Sequence, residues 1–201
     1  MFDLPKSCVV NKFIPKNIFY KKVTMATSVK KEFINLIEKI TWLYKIAPDT
    51  LGVNKTDNIE ELEILEIQLK QKQLPKNVIK VITNSISYPI LFVIKYNNDF
   101  CYSTKVEKNY YSDWNENITF DFNYNNLNSI YESVVKKIIK EETNKKSFDE
   151  IISINAKKQE LERQIIQLKR KISQEKQFNR KVELNQELRK LEQEMEELIS
   201  E

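Results

Sequence analysis

Histidine is missing from all 201 residues, and that absence removes more chemistry than any residue present supplies. Without an imidazole there is no His general base, no Ser-His-Asp or Cys-His triad and no His-ligated metal site. Glycine occurs once, at Gly52. The glycine-rich loops that hold phosphates in P-loop NTPases, kinases and Rossmann enzymes are therefore excluded. Two cysteines, Cys8 and Cys101, cannot make a four-cysteine zinc site or a disulfide framework. They fit a reducing compartment. With no histidine to activate them, both are expected in the core rather than as nucleophiles. The longest apolar run, residues 90–94, is far too short to span a bilayer. Lys6, Lys12 and Lys16 interrupt any signal-peptide pattern. The expectation is a cytoplasmic protein with no membrane partner.

What is present is charge and helical periodicity. Lys and Arg total 33 against 29 Asp and Glu, a net charge of +4. That is compatible with a nucleic-acid partner but does not argue for one. The abundant Lys, Asn and Ile are also what an AT-rich genome produces. The clearest architecture lies in the C-terminal quarter. Leu161, Ile165, Leu168 and Ile172 form a coiled-coil seam. Leu184, Leu188, Leu191, Met195 and Leu198 form a second. The two are out of phase, because heptads extended from the first fall on Glu175, Asn179, Val182 and Gln186. That misses the second run by about two residues, which neither usual coiled-coil skip repairs. A helical hairpin turning near residues 174–179 would bring the stripes face to face. One long helix, meeting different surfaces with its two halves, is the rival. The turn holds no Gly or Pro, so the usual stop signals are absent. The start is better marked, since Ser147-Phe148-Asp149-Glu150 has the form of a capping box.

Residues 1–27 read as an extended basic arm packed on the domain. Lys6, Lys12, Lys16, Lys21 and Lys22 alternate there with Phe13, Ile14, Phe19 and Tyr20. A sharper reading makes this a basic, aromatic strip for nucleic acid. Residues 28–145 read as an α+β domain with a mixed sheet of about five strands and packed helices. Ser28 caps a helix whose inner face is Val29, Phe33, Leu36, Ile37 and Ile40. Strands are expected at 40–46, 59–70, 90–94, 100–106 and 118–124. The alternation in 59–70 changes phase, which a β-bulge near Ile64-Leu65 would explain. Pro75 opens a second helix, and residues 127–139 make an amphipathic third. Residues 107–117 read as a loop and 141–146 as a linker. Residues 147–201 are the C-terminal helical hairpin or coiled coil.

Several stretches carry a resemblance. Leu4-Pro5-Lys6-Ser7, residues 10–16 (VNKFIPK) and Phe19-Tyr20 open the chain. Residues 40–45 (ITWLYK) and 88–92 (YPILF) lie in the middle, and 175–185 (EKQFNRKVELN) near the end. Together they resemble the bacterial family catalogued as domain of unknown function 4391, over nearly the whole chain. The resemblance implies no assigned activity. It implies genes placed near helicases and DNA methyltransferases of phage-defence islands, and so a defence context.

Two constellations could carry chemistry. Asp49 follows a proline after one strand, and Glu66, Gln68 and Lys70 share one face of the next. Helix, strand, acid, strand with acid-x-Lys and helix resembles the metal-dependent nucleases named for their PD-(D/E)xK motif. Asp49 and Glu66 would hold Mg²⁺, and Lys70 would stabilise the charged phosphate. The departure is Gln68, which stands where that pattern has its lysine. The bland alternative is a solvated strand face and a turn aspartate. The second constellation is Lys169, Arg170, Lys171, Lys176, Arg180 and Lys181, which would ring a hairpin tip and meet phosphates. Its bland alternative is ordinary charge patterning on a solvated coiled coil.

These readings converge on a non-enzymatic accessory subunit that needs no cofactor. Its seam would take a second copy or a helicase- or methyltransferase-type subunit. A Mg²⁺-dependent nuclease and a nucleic-acid-binding module are the alternatives.

Overall fold

A six-stranded mixed sheet, its strands in chain order, forms the body of the protein. The computed structural model describes residues 2–141 and 146–200. Residue 1, linker positions 142–145 and residue 201 lie outside the described residues. The chain divides into two compact units, Met1–Glu142 and Thr143–Glu201.

The first unit runs β1 (Val9–Phe13), α1 (Asn17–Lys22), α2 (Thr27–Leu36), β2 (Ile37–Ile46) and the short α3 (Pro48–Leu51). It continues through β3 (Leu62–Leu69), α4 (Lys76–Ser85), β4 (Ile90–Tyr96), β5 (Asp99–Lys105), β6 (Asn109–Tyr111) and α5 (Leu127–Ile139). Every neighbouring pair is antiparallel except β3 and β4, which α4 connects in parallel. Parallel neighbours need such a crossover. The α+β class and mixed sheet are as expected, with six strands instead of about five.

β3 shows why. It pairs regularly with β4, Leu65 opposite Phe92 and Ile67 opposite Ile94, so its side chains alternate without interruption. Leu65, Ile67 and Leu69 face a core made with Phe33 and Leu36 of α2 and Val78, Ile79 and Ile82 of α4. Leu62 and Ile64 point to the opposite face, where α5 lies against β5 and β6. The apparent phase change is therefore a change in which face is covered. The expected bulge near Ile64-Leu65 is absent from β3. The register instead shifts on β2, between Trp42 and Tyr44.

Four further expectations are corrected. Helix α2 follows Ala26, with no side-chain cap from Ser28, and ends at Leu36, so Ile37 and Ile40 belong to β2. Residues 118–124 pair with no strand. Their alternation comes from side-chain packing: Phe120 lies edge-on to Tyr102 at 4.8 Å, and Phe122 is buried. Alternating burial needs a surface to lie on, not a ladder partner. Conversely, β6 forms inside the stretch read as a loop, and β1 forms inside the arm. β1 is an edge strand with Val9 and Phe13 exposed. Asn11, at φ +47°, sits where its pairing with β2 slips. A bulge and an exposed edge erase the alternation by which strands are recognised.

Gly52 stands at the one position in the unit where glycine is used for its backbone. It closes α3 at φ +75°, donating to the Pro48 carbonyl at 3.1 Å. Both cysteines are buried, and burial pushes the Cys101 thiol up to about 12. Among the described residues, no helix is long and apolar enough to cross a membrane.

The second unit is a pair of helices, α6 (Phe148–Gln174) and α7 (Phe178–Ser200). The capping box forms as expected. Ser147 accepts from the Glu150 amide at 3.3 Å, and the Glu150 carboxylate accepts from the Ser147 amide at 2.7 Å.

Candidate functional site

The turn between α6 and α7 is three residues long and is built without glycine or proline. Glu175 leaves the helix in an extended conformation, φ −74° and ψ 133°. Its amide still donates to the Lys171 carbonyl at 3.0 Å. Its Oε1 then accepts from the amides of Lys176, at 2.7 Å, and Gln177, at 2.9 Å. One carboxylate thus supplies the partners that a stop signal would make unnecessary. The Gln177 and Lys176 amides hold the Glu175 carboxyl below the usual carboxylate range. Helix α7 restarts at once, with the Lys181 amide on the Gln177 carbonyl.

This break resolves the phase conflict in favour of the hairpin. The helices pack on one another, and Lys169 bridges to Glu192 across them at 2.8 Å. Leu161, Leu168 and Leu184 are buried. Ile165, Ile172, Leu188, Leu191, Met195 and Leu198 are half-buried. All nine seam residues thus lie off the exposed surface, but two helices alone cover only a third of them fully. Ile166, on the outer side of α6, is 68% exposed.

The six basic residues gather at the hairpin tip, and all are exposed. Lys169 is held by Glu192, and Arg180 by Glu183 at 2.6 Å. Arg170, Lys171, Lys176 and Lys181 make no salt bridge among the described residues, although the charge of Lys181 acts on the nearby Glu175 carboxyl. Phe178, between them, is 79% exposed. Sequence reading passed over Phe178; its signal was an aromatic breaking the polar run from Ser173 to Lys181.

The nuclease set does not come together. Asp49 lies on α3, and its carboxylate meets Lys45 at 3.2 Å. Glu66 pairs with Lys95 at 2.7 Å, and Lys70 donates to the Ile34 carbonyl at 2.8 Å. Register fixes the separation. Thr41 faces Glu66 while Ile46 faces Leu62, and Asp49 follows Ile46 by three residues. Four residues of strand span about 13 Å, too far for both carboxylates to hold one ion. Among the described residues, no three His, Cys, Asp or Glu are grouped to hold a metal.

The structure assembles a different polar cluster, which the sequence reading missed. Lys45 lies 3.2 Å from both Asp49 and Glu61. Beside them Glu63 is only 5% exposed, and its Oε2 has no hydrogen-bond partner. Burial, reinforced by a hydrogen bond and charge from Glu61, pushes the Glu63 carboxyl up to about 9. The signal was strict alternation. With no bulge in β3, Glu63 must share the face of Leu65, Ile67 and Leu69. A shallow pocket of about 320 Å³ lies nearby in sequence, lined by Leu51–Asn54 and Phe122–Asn125, with no charged side chain in its wall.

A family model described as Domain of unknown function (DUF4391) matches residues 2–195. No curated protein and no solved structure matches the chain.

Proposed function

The chain belongs to this family of unknown function, and we propose that it is a non-enzymatic accessory subunit that docks a protein partner through its C-terminal hairpin. The observation that supports this reading is the incompletely covered seam. Six of its nine apolar residues are half-buried, and a helical pair of this kind gains most by meeting further helices.

Magnitudes narrow the partner. Covering the remainder of six half-buried aliphatic residues is worth on the order of 6 kcal/mol. Association itself costs about 4–15 kcal/mol. A second copy contacting the seam alone would therefore be held weakly. A stable complex requires a partner that adds contacts beyond the seam. Helicase- or methyltransferase-type subunits of a bacterial phage-defence or restriction-modification-like system are the proposed class, with the complex in the cytoplasm. That context comes from the family resemblance. The separation of Asp49 from Glu66 speaks against the Mg²⁺ nuclease.

The test is capture of the tagged full chain from its host at moderate salt, split into nuclease-treated and untreated halves. A stoichiometric protein is expected in both. Leu191→Lys should release it while far-UV circular dichroism reports the hairpin intact. Should that variant lose helicity, Leu188→Ala with Leu191→Ala keeps the measurement decisive. Assembly unchanged by either variant would refute the seam as the docking surface.

A further inference from the structure

Two stretches of this chain combine lysines with aromatic rings, and they use the rings differently. In the N-terminal stretch Phe19 is buried and stacks on Phe33 at 5.9 Å, and Tyr20 meets the same ring edge-on at 5.5 Å. Lys16 is turned inward to the Ile37 carbonyl at 2.5 Å. Those groups are committed to holding α1 on the core. At the hairpin tip the ring of Phe178 is 79% exposed and makes no ring contact among the described residues. An exposed phenyl ring forgoes the gain of burial, and no ring contact in the helical pair holds an aromatic there.

The charge around the ring is equally concentrated. Residues 169–182 carry six basic side chains and one acid, a surplus larger than the net +4 of the whole chain. The single acid, Glu175, is turned onto backbone amides of the turn. Glu183, just past this stretch, is taken up by Arg180 at 2.6 Å, and the other acids of α7 lie further along, at Glu187, Glu192, Glu194, Glu196 and Glu197. All six cations fall within about 8 Å, measured along the helix axes, of the turn. The surplus is thus a local knob and not a stripe along one helix face.

We propose that this tip binds single-stranded nucleic acid, with Phe178 stacking on a base and Arg170, Lys171, Lys176 and Lys181 meeting the flanking phosphates. The combination of an exposed ring with exposed cations that make no salt bridge is what selects this ligand. Every base offers a π face, and stacking on an aromatic side chain is sequence-tolerant. In a duplex the bases are already stacked on each other and offer no face to Phe178. A membrane surface would need a broader apolar face than Phe178 and the half-exposed Val182 supply. The site uses the outside of the turn and leaves the seam free, so it does not rest on the docking reading above.

The test is fluorescence anisotropy of the full chain with a labelled oligo-dT of about 20 nucleotides, long enough for one site. Binding is expected at low salt. With four cations engaged, log K should fall against log salt with a slope of about −3. Phe178→Ala should weaken binding by about ten-fold, and Lys171→Glu with Lys181→Glu by more. Lys21→Glu with Lys22→Glu, the same charge change on exposed α1, should leave affinity within about two-fold once salt screens long-range effects. Circular dichroism of each variant distinguishes lost contacts from a lost hairpin. No binding, a flat salt response, or equal loss from the tip and α1 variants would overturn the proposal. So would binding to phosphatidylserine vesicles, but not to the oligonucleotide, that Phe178→Ala abolishes.

Discussion

In the α+β unit the central strands β3 and β4 are covered on both faces, and Leu62, Ile64, Leu65, Ile67, Leu91, Phe92 and Ile94 are all essentially without solvent contact. In the helical unit only Leu161, Leu168 and Leu184 of the seam are buried. The difference is geometric. A sheet presents two broad faces, and helices on both close the core. Two helices share one narrow strip, and the rest of each circumference stays in water. The first unit can therefore use most of its apolar residues for its own stability, with Val9, Phe13, Ile18 and Ile34 left exposed at its periphery. The second retains apolar and cationic surface for something outside itself. Among the polar groups buried in the first unit is Glu63, a carboxyl with one oxygen unpaired.

The comparison can be broken most forcefully from the sheet side. Phe92 has no solvent exposure and belongs to the core between the sheet, α2 and α4. Phe92→Ala should cost the first unit about 3–5 kcal/mol, read from chemical denaturation. If each unit holds its own structure, the helical signal of α6 and α7 should outlast the loss of the sheet. Simultaneous loss of both signals would show that the two units fold as one.

Glu63 sharpens the comparison from within the well-packed unit. In the unfolded chain it ionises in the ordinary carboxylate range, and in the folded chain at about 9. Between those values the folded state keeps a proton that the unfolded state has lost. Stability should therefore fall as pH rises across that interval and level off above it. Glu63→Gln removes this dependence and should stabilise the protein at pH 8, with little change at pH 4. A denaturation midpoint with the same pH slope in both proteins would show that Glu63 is not the group responsible.

The smallest expected effect concerns the hairpin turn. Glu175→Ala removes the acceptor for two turn amides, so α6 and α7 should fray at the tip while the sheet is unaffected. The Glu175 carboxyl is held below its usual range, so its contribution is present at neutral pH. It should be lost as pH falls through that lowered value. Amide exchange at Lys176 and Gln177 reads this directly, and protection unchanged in Glu175→Ala would remove the carboxylate from the account of the turn.

Much of this arrangement was legible in the residues. The helices α4, α5 and α6–α7 announced themselves by their period, Ser147 and Glu150 by the capping box, and the hairpin was one of two readings that the out-of-phase seams allowed. The strands expected at residues 40–46, 59–70, 90–94 and 100–106 form as β2 to β5, with ends shifted by up to three residues. What misled was alternation read without its surroundings. Phe120 and Phe122 alternate because they lie on the sheet, not because they join it. Val9 to Phe13 joins it without alternating. The basic residues of the tip were visible, but the freedom of Phe178 was not, because exposure belongs to the folded surface.

Composition alone determined the chemistry this chain cannot perform with imidazoles or glycine-rich loops, and periodicity alone determined that its last quarter is helical with two stripes out of phase. Tertiary structure decided the rest. It separated Asp49 from Glu66, since positions close in a motif can lie at opposite ends of a strand. It placed Glu63 in the core, since a residue's face depends on the register of its partners. It left Phe178 and four cations in water at a turn, since a side chain's availability depends on what the remainder of the chain covers.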